Sequence, residues 1–203
     1  MKKMIMMVAV AMMTVMSVNA QSENYYKHEF AVSYGSIPNS SWMSLGDAMG
    51  TVMISLGTCS YDNGKFTGPI SAEYFYHVNP VIGVGGVFVY TQEKKDILFD
   101  KKVEGEATNN FITVLPAVKF NWLRKKNFGL YSKVAAGATF RSRENKYNDG
   151  TPSVSDNHVV FNFQLTGIGI EAGAKNVWAF AEFGMGEQGL ALAGFCSLWS
   201  LSA

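Results

Sequence analysis

Apolar and polar side chains alternate along Phe66 to Tyr90, FTGPISAEYFYHVNPVIGVGGVFVY. Phe66, Ile70, Ala72, Tyr74, Tyr76 and Val78 share one face of an extended chain. Thr67, Ser71, Glu73, Phe75 and His77 share the other. A period of two is the mark of a strand with one apolar and one mostly polar face. Asn79-Pro80 supplies a tight turn. The return strand repeats the apolar face with Ile82, Val84, Phe88 and Tyr90, behind which lie Gly83, Gly85, Val87 and Val89.

The same pattern predicts strands over about 27–35, 66–78, 81–90, 109–122, 128–141, 158–172, 177–186 and 189–199. Pro116 falls inside the fourth and points to a lost ladder bond or a bulge. The odd-numbered connections read as about 28, 17, 16 and 2 residues, and the even ones as about 2, 5 and 3. Short turns on one side and long loops on the other are the habit of transmembrane barrels. Within the first long connection, Trp42, Leu45, Met49, Val52 and Leu56 recur at helical spacing. They predict a short amphipathic helix, packed on the loop or acting as an interfacial or plug element.

The face that carries Phe30, Tyr34, Tyr74, Tyr76, Phe88, Tyr90, Phe120, Trp122, Phe140, Phe161 and Phe163 holds too much volume for the inside of an eight-stranded barrel. Turned outward, it makes aromatic girdles around an apolar band. The expected fold is therefore all-β, an eight-stranded antiparallel up-and-down transmembrane β-barrel over residues 21–203. The inward set then includes Glu29, Glu73, His77, Lys119, Lys133, Arg141 and Glu182. Mixed charges in so narrow a space predict a salt-bridged plug, with a gated polar channel as the alternative. Strict alternation sends Glu171 outward, unless a bulge between Gly167 and Gly173 resets the register.

Composition adds an export signal. Lys2 and Lys3 precede an apolar run, Met4–Val18, that ends at Val18-Asn19-Ala20. This is expected to be a signal peptide over 1–20, because the run is shorter than the roughly 20 residues a spanning helix needs. Without it, 15 basic residues remain against 16 acidic ones, so nucleic acid is not an expected partner. Cys59, in a loop, and Cys196, in the last strand, read as idle thiols rather than a disulfide.

Chemistry is sparse. Ser153, Ser155, Asp156 and His158 lie together, but serines in a loop make a weak hydrolase signal. His28 and His77 are isolated, and a metal site needs converging ligands. There is no P-loop, dinucleotide fingerprint or Cys-x-x-Cys, so no cofactor and no enzymatic activity are expected.

Glu73-Tyr74-Phe75-Tyr76 before Asn79-Pro80, the glycine-rich return strand, and the closing Phe180-Ala181-Glu182-Phe183-Gly184-Met185-Gly186 with Gly189-Leu190 resemble the small outer-membrane barrels of OmpA/OmpX type, in their Bacteroides-like version. The resemblance implies a place in the cell outer membrane, with outer-membrane lipid and the insertion machinery of that membrane as partners. It implies a structural or surface-interaction role through the outer loops, whose partner is open. A narrow porin-like channel is the alternative, and a lipid-modifying enzyme the third reading. Such barrels usually end on an aromatic residue; here Ser200 to Ala203 follow Trp199.

Overall fold

A computed structural model describes residues 26–38, 59–99, 102–147 and 154–200 of the 203-residue chain. The expected signal peptide, the helical spacing between Trp42 and Leu56, and the last residues, Leu201 to Ala203, lie outside the described residues. Eight strands occupy the described chain: β1 (His28–Ser36), β2 (Cys59–His77), β3 (Ile82–Phe99), β4 (Lys102–Arg124), β5 (Phe128–Tyr147), β6 (Val154–Ala174), β7 (Val177–Gly186) and β8 (Ala191–Trp199). Each pairs antiparallel with its neighbours in sequence, and β1 pairs with β8. The result is a closed eight-stranded antiparallel barrel.

The alternation decides what faces where. Phe161 is 70% exposed and Phe195 69%, whereas Phe75 and Lys133 are fully buried. Outside, Phe30, Tyr74, Val84, Phe88, Val114 and Phe140 are among the exposed apolar side chains. Inside, Glu29, Glu73, His77, Lys119, Lys133 and Glu182 are buried. The bore is not purely polar, however. Phe75, Val87, Val89, Leu115, Ala117 and Ala135 form one apolar cluster. Ala31, Tyr131, Trp178, Phe180, Leu192, Cys196 and Leu198 form another. Charged groups packed between such clusters are cut off from water.

Several boundaries differ from the sequence expectation. Stretches 92–99, 102–108, 142–147 and 154–157 belong to strands rather than to loops. Their ladders continue directly, with Gln92 opposite Asn110, Glu93 opposite Asn109 and Arg143 opposite Asp156. A strand with polar residues on both faces carries no apolar alternation, so periodicity stops while hydrogen bonding goes on. Cys59 accordingly opens β2 instead of lying in a loop. The asymmetry between the two ends is thus one of strand height: β2 to β6 have 18 to 23 residues, while β1, β7 and β8 have 9 or 10.

A local irregularity shapes the interior. Pairing runs past Pro116 without a shift, from Val114–Ala138 to Ala117–Ala135. The register instead slips in β6 between Thr166 and Ile168. The freed carbonyl of Gly167 accepts a bond from Ser132 Oγ at 2.6 Å. That single-residue slip exchanges the faces of the residues beyond it. Glu171 is therefore buried in the bore and not outward as strict alternation had it.

Candidate functional site: an ionic network across the bore

Lys119 on β4 and Lys133 on β5 are direct cross-strand partners. Like charges so placed repel, yet each ammonium turns to a different pair of acids. Lys119 Nζ lies 2.7 Å from Glu29 Oε1 and 3.1 Å from Glu171 Oε2. Lys133 Nζ donates to both oxygens of Glu73 at 2.9 Å and to Glu182 Oε1 at 2.8 Å. All six side chains are buried. The network draws on β1, β2, β4, β5, β6 and β7, so it ties nearly the whole circumference of the barrel together.

Further groups complete each half. His77 Nε2 is 2.8 Å from Glu29 Oε2, and Asn121 Nδ2 stands 3.4 Å from its Nδ1. Arg124 Nη2 lies 3.5 Å from Glu171 Oε1. Glu182 also accepts from Tyr131 Oη at 2.8 Å and from Thr166 Oγ1 at 2.6 Å. The Lys119 ammonium sits 3.8 Å over the centre of the Tyr131 ring. Tyr131 is thus the hinge between the two halves: its face meets one lysine and its hydroxyl meets the other lysine's acid.

The β7–β8 turn closes the assembly from above. Glu187 and Gln188 are fully buried. Gln188 Nε2 donates to Glu73 Oε1 at 2.5 Å, and its backbone N–H donates to Gln164 Oε1 at 2.9 Å. Asn162 Nδ2 donates to Glu187 Oε2 at 2.7 Å and to Thr139 Oγ1 at 2.9 Å. The turn is held by Gly186 and Gly189 at positive φ, 145° and 106°, angles that side chains bearing a Cβ rarely adopt.

Of the seven inward residues expected from sequence, six meet in this network. Arg141 is placed farther along the bore. It lies eight residues beyond Lys133 on β5, about 26 Å at the usual strand rise. There its Nη2 lies 3.4 Å from Asn109 Oδ1 and its guanidinium lies over Phe111. Glu171, Arg124, Tyr131, Thr166 and Gln188 escape the sequence reading. Glu171 needs the bulge at Gly167; Tyr131 and Thr166 fall on the inner face with nothing to mark a role. Nothing in the order of residues marks a turn glutamine as reaching a glutamate 115 positions away.

Glu29, Glu171 and Cys196 place ligand atoms within 4.8 Å of one another, the one such group among the described residues. Lys119 already supplies a cation to both of these carboxylates. Cys196 is a buried free thiol. His158 is exposed on β6, opposite Arg141. Ser153, one of the two serines of the hydrolase signal, lies outside the described residues. No protein-family model matches the chain, and no curated protein matches it in sequence.

Proposed function

We propose that this chain is an outer-membrane β-barrel of the OmpA/OmpX type with a structural or surface-interaction role. The observation that carries the reading is the inversion of polarity: exposed apolar side chains cover the outside while charged ones are buried within. In water such a surface is a liability; against lipid it is what a barrel wall requires. On β5 the outward apolar positions run from Phe128 to Phe140, both exposed. Twelve strand steps, tilted by about 40°, rise about 30 Å, the thickness of a bilayer's hydrocarbon core.

The network across the bore supports a plugged barrel over a conducting one. Acids and bases are paired and flanked by Phe75, Leu115, Trp178 and Leu198, an arrangement that disfavours the passage of ions. Interaction then falls to the tall wall of β2 to β6 that rises beyond β1, β7 and β8, and to the connections at that end. The role needs no catalysis.

The test is heat-modifiability. The full chain, expressed with export, is recovered in membrane fractions and run unboiled and boiled on a denaturing gel. A faster unboiled band in the outer-membrane fraction is the expected result. A soluble periplasmic protein with no shift would overturn the lipid-facing assignment. Bilayer conductance that vanishes in Glu73→Gln would favour the channel instead.

A further inference from the structure

Among the described residues, the barrel end that holds the even-numbered turns, the start of β1 and the end of β8 carries exposed charge of one sign. Lys27, before β1, Lys125 and Lys126, between β4 and β5, and Lys175, between β6 and β7, are all exposed. None of the four has an ion-pair partner among the described residues. The described acids of this end, Glu29 and Glu171, are buried and paired inside. At the opposite end the described charges are of both signs, with Glu93, Lys94, Arg143 and Glu144. The asymmetry therefore belongs to this rim rather than to the protein as a whole.

The rim is held in shape by its own hydrogen bonds. Asn127 Nδ2 donates to Gly173 O at 2.8 Å, and Gly173 N–H returns a bond to Asn127 O at 3.1 Å. Leu198 N–H donates to Asn176 O at 2.8 Å, and Tyr26 Oη to Lys175 O at 3.2 Å. His77 N–H donates to Lys27 O at 2.8 Å. The turns bearing the lysines are thus tied to one another or to the strand ends, and the backbone cost of arranging four cations is met on folding.

Just inside the lysines the surface turns apolar and aromatic. Lys126 is two residues from exposed Phe128, and Lys175 two from exposed Val177. Beside Lys27, the ring of His28 stacks on Trp199, 5.7 Å between centroids and 12° between planes. The same ring meets the edge of Tyr76 at 5.5 Å and bonds Tyr74 Oη at 2.8 Å. Aromatic groups of this kind favour the depth of lipid headgroups, and lysines one step beyond reach the phosphates.

Building on the membrane reading, we propose that this rim is a docking surface for anionic phospholipid. Lys27, Lys125, Lys126 and Lys175 take the headgroup phosphates of the leaflet that the short turns face, and His28, Tyr76 and Trp199 set the depth. The continuity of cations with apolar side chains favours lipid over a soluble acidic partner, for which exposed Phe128 and Val177 would serve no purpose. The rim thereby holds the barrel at a fixed height and enriches anionic lipid around it.

The test uses the full chain refolded into phosphatidylcholine vesicles, with insertion verified by the heat-dependent gel shift. Spin-labelled phosphatidylglycerol or phosphatidylcholine is added in trace amounts, and the motionally restricted fraction of each is measured. Phosphatidylglycerol is expected to associate about two- to five-fold more strongly at low salt, the scale of one lysine near an anionic surface. The preference should fall toward unity in about 0.5 M salt, and in the variant carrying Lys27→Gln, Lys125→Gln, Lys126→Gln and Lys175→Gln. Equal association of both lipids with inserted protein would overturn the proposal and leave the membrane reading intact. So would a preference that survives in the folded variant, or a rim that ignores lipid but retains acidic peptidoglycan peptides. A chain that inserts into no vesicle would overturn the membrane reading and the proposal with it. The salt titration on unaltered protein decides the matter even where the variant does not fold.

Discussion

Lys133→Met removes the ammonium that joins Glu73 to Glu182 and keeps a side chain of similar length. Three charge-assisted bonds of 2.8 to 2.9 Å are lost at a fully buried position. Lys119 stays committed to Glu29 and Glu171, so the two freed acids have no second cation among the described residues. They must take up a proton or remain as unpaired buried charge, and removing one partner of a buried pair costs about 3–5 kcal/mol. A loss of about 4 kcal/mol lowers the folded-to-unfolded ratio roughly a thousandfold. Were the bore filled with water, the same contacts would be worth about 1 kcal/mol or less. The magnitude therefore separates a dry plug from a wet channel. Reversible denaturant unfolding in phospholipid vesicles, followed by intrinsic fluorescence and by gel shift, reads the difference through the midpoint. A companion variant with Lys133→Met, Glu73→Gln and Glu182→Gln together removes the uncompensated charge and is expected to recover most of the loss. A Lys133→Met protein within about 1 kcal/mol of the parent would refute the packed ionic network. So would a triple variant no better than the single one.

The remaining expectations concern space and access. At Gly169 a Cβ would run into Cζ of the buried Tyr131 ring, so Gly169→Ala displaces the hydroxyl from Glu182 and costs about 1–3 kcal/mol. In a Tyr131→Ala background that penalty should largely vanish; an undiminished penalty in the double-mutant cycle would show that the ring is not what fills the space. Cys196 is buried on the inner face of β8. With Cys59→Ser as background, a polar maleimide should modify it only after unfolding, and mass spectrometry showing equally fast labelling of the folded barrel would contradict its place in the wall.

How much of this was legible in sequence depended on whether the governing physics was local. The alternation of side chains along a strand is a covalent property, and an apolar outer face set against a charged inner one makes it visible. Eight strands, their order and the inward parity of Glu29, Glu73, His77, Lys119, Lys133 and Glu182 could be read from it. In 92–99, 102–108, 142–147 and 154–157 the regular apolar alternation disappears although the ladders persist, and the strands read as loops. The slip at Gly167 that carries Glu171 inward was foreseeable only as an option, because a bulge is settled by competition between ladders.

Which inward residues meet was decided by closure alone. Lys133 finds Glu73, 60 residues back, and Glu182, 49 residues on, because the stagger of the closed sheet brings β2, β5 and β7 to one level. Lys119 and Lys133 are opposite one another in the ladder, and only the curvature of the barrel lets them turn to separate acids. Arg141 shares their inward parity but stands farther along β5. Side-chain parity follows from the local chain; height around a barrel follows from the shear of all eight strands, and no single stretch of sequence contains it.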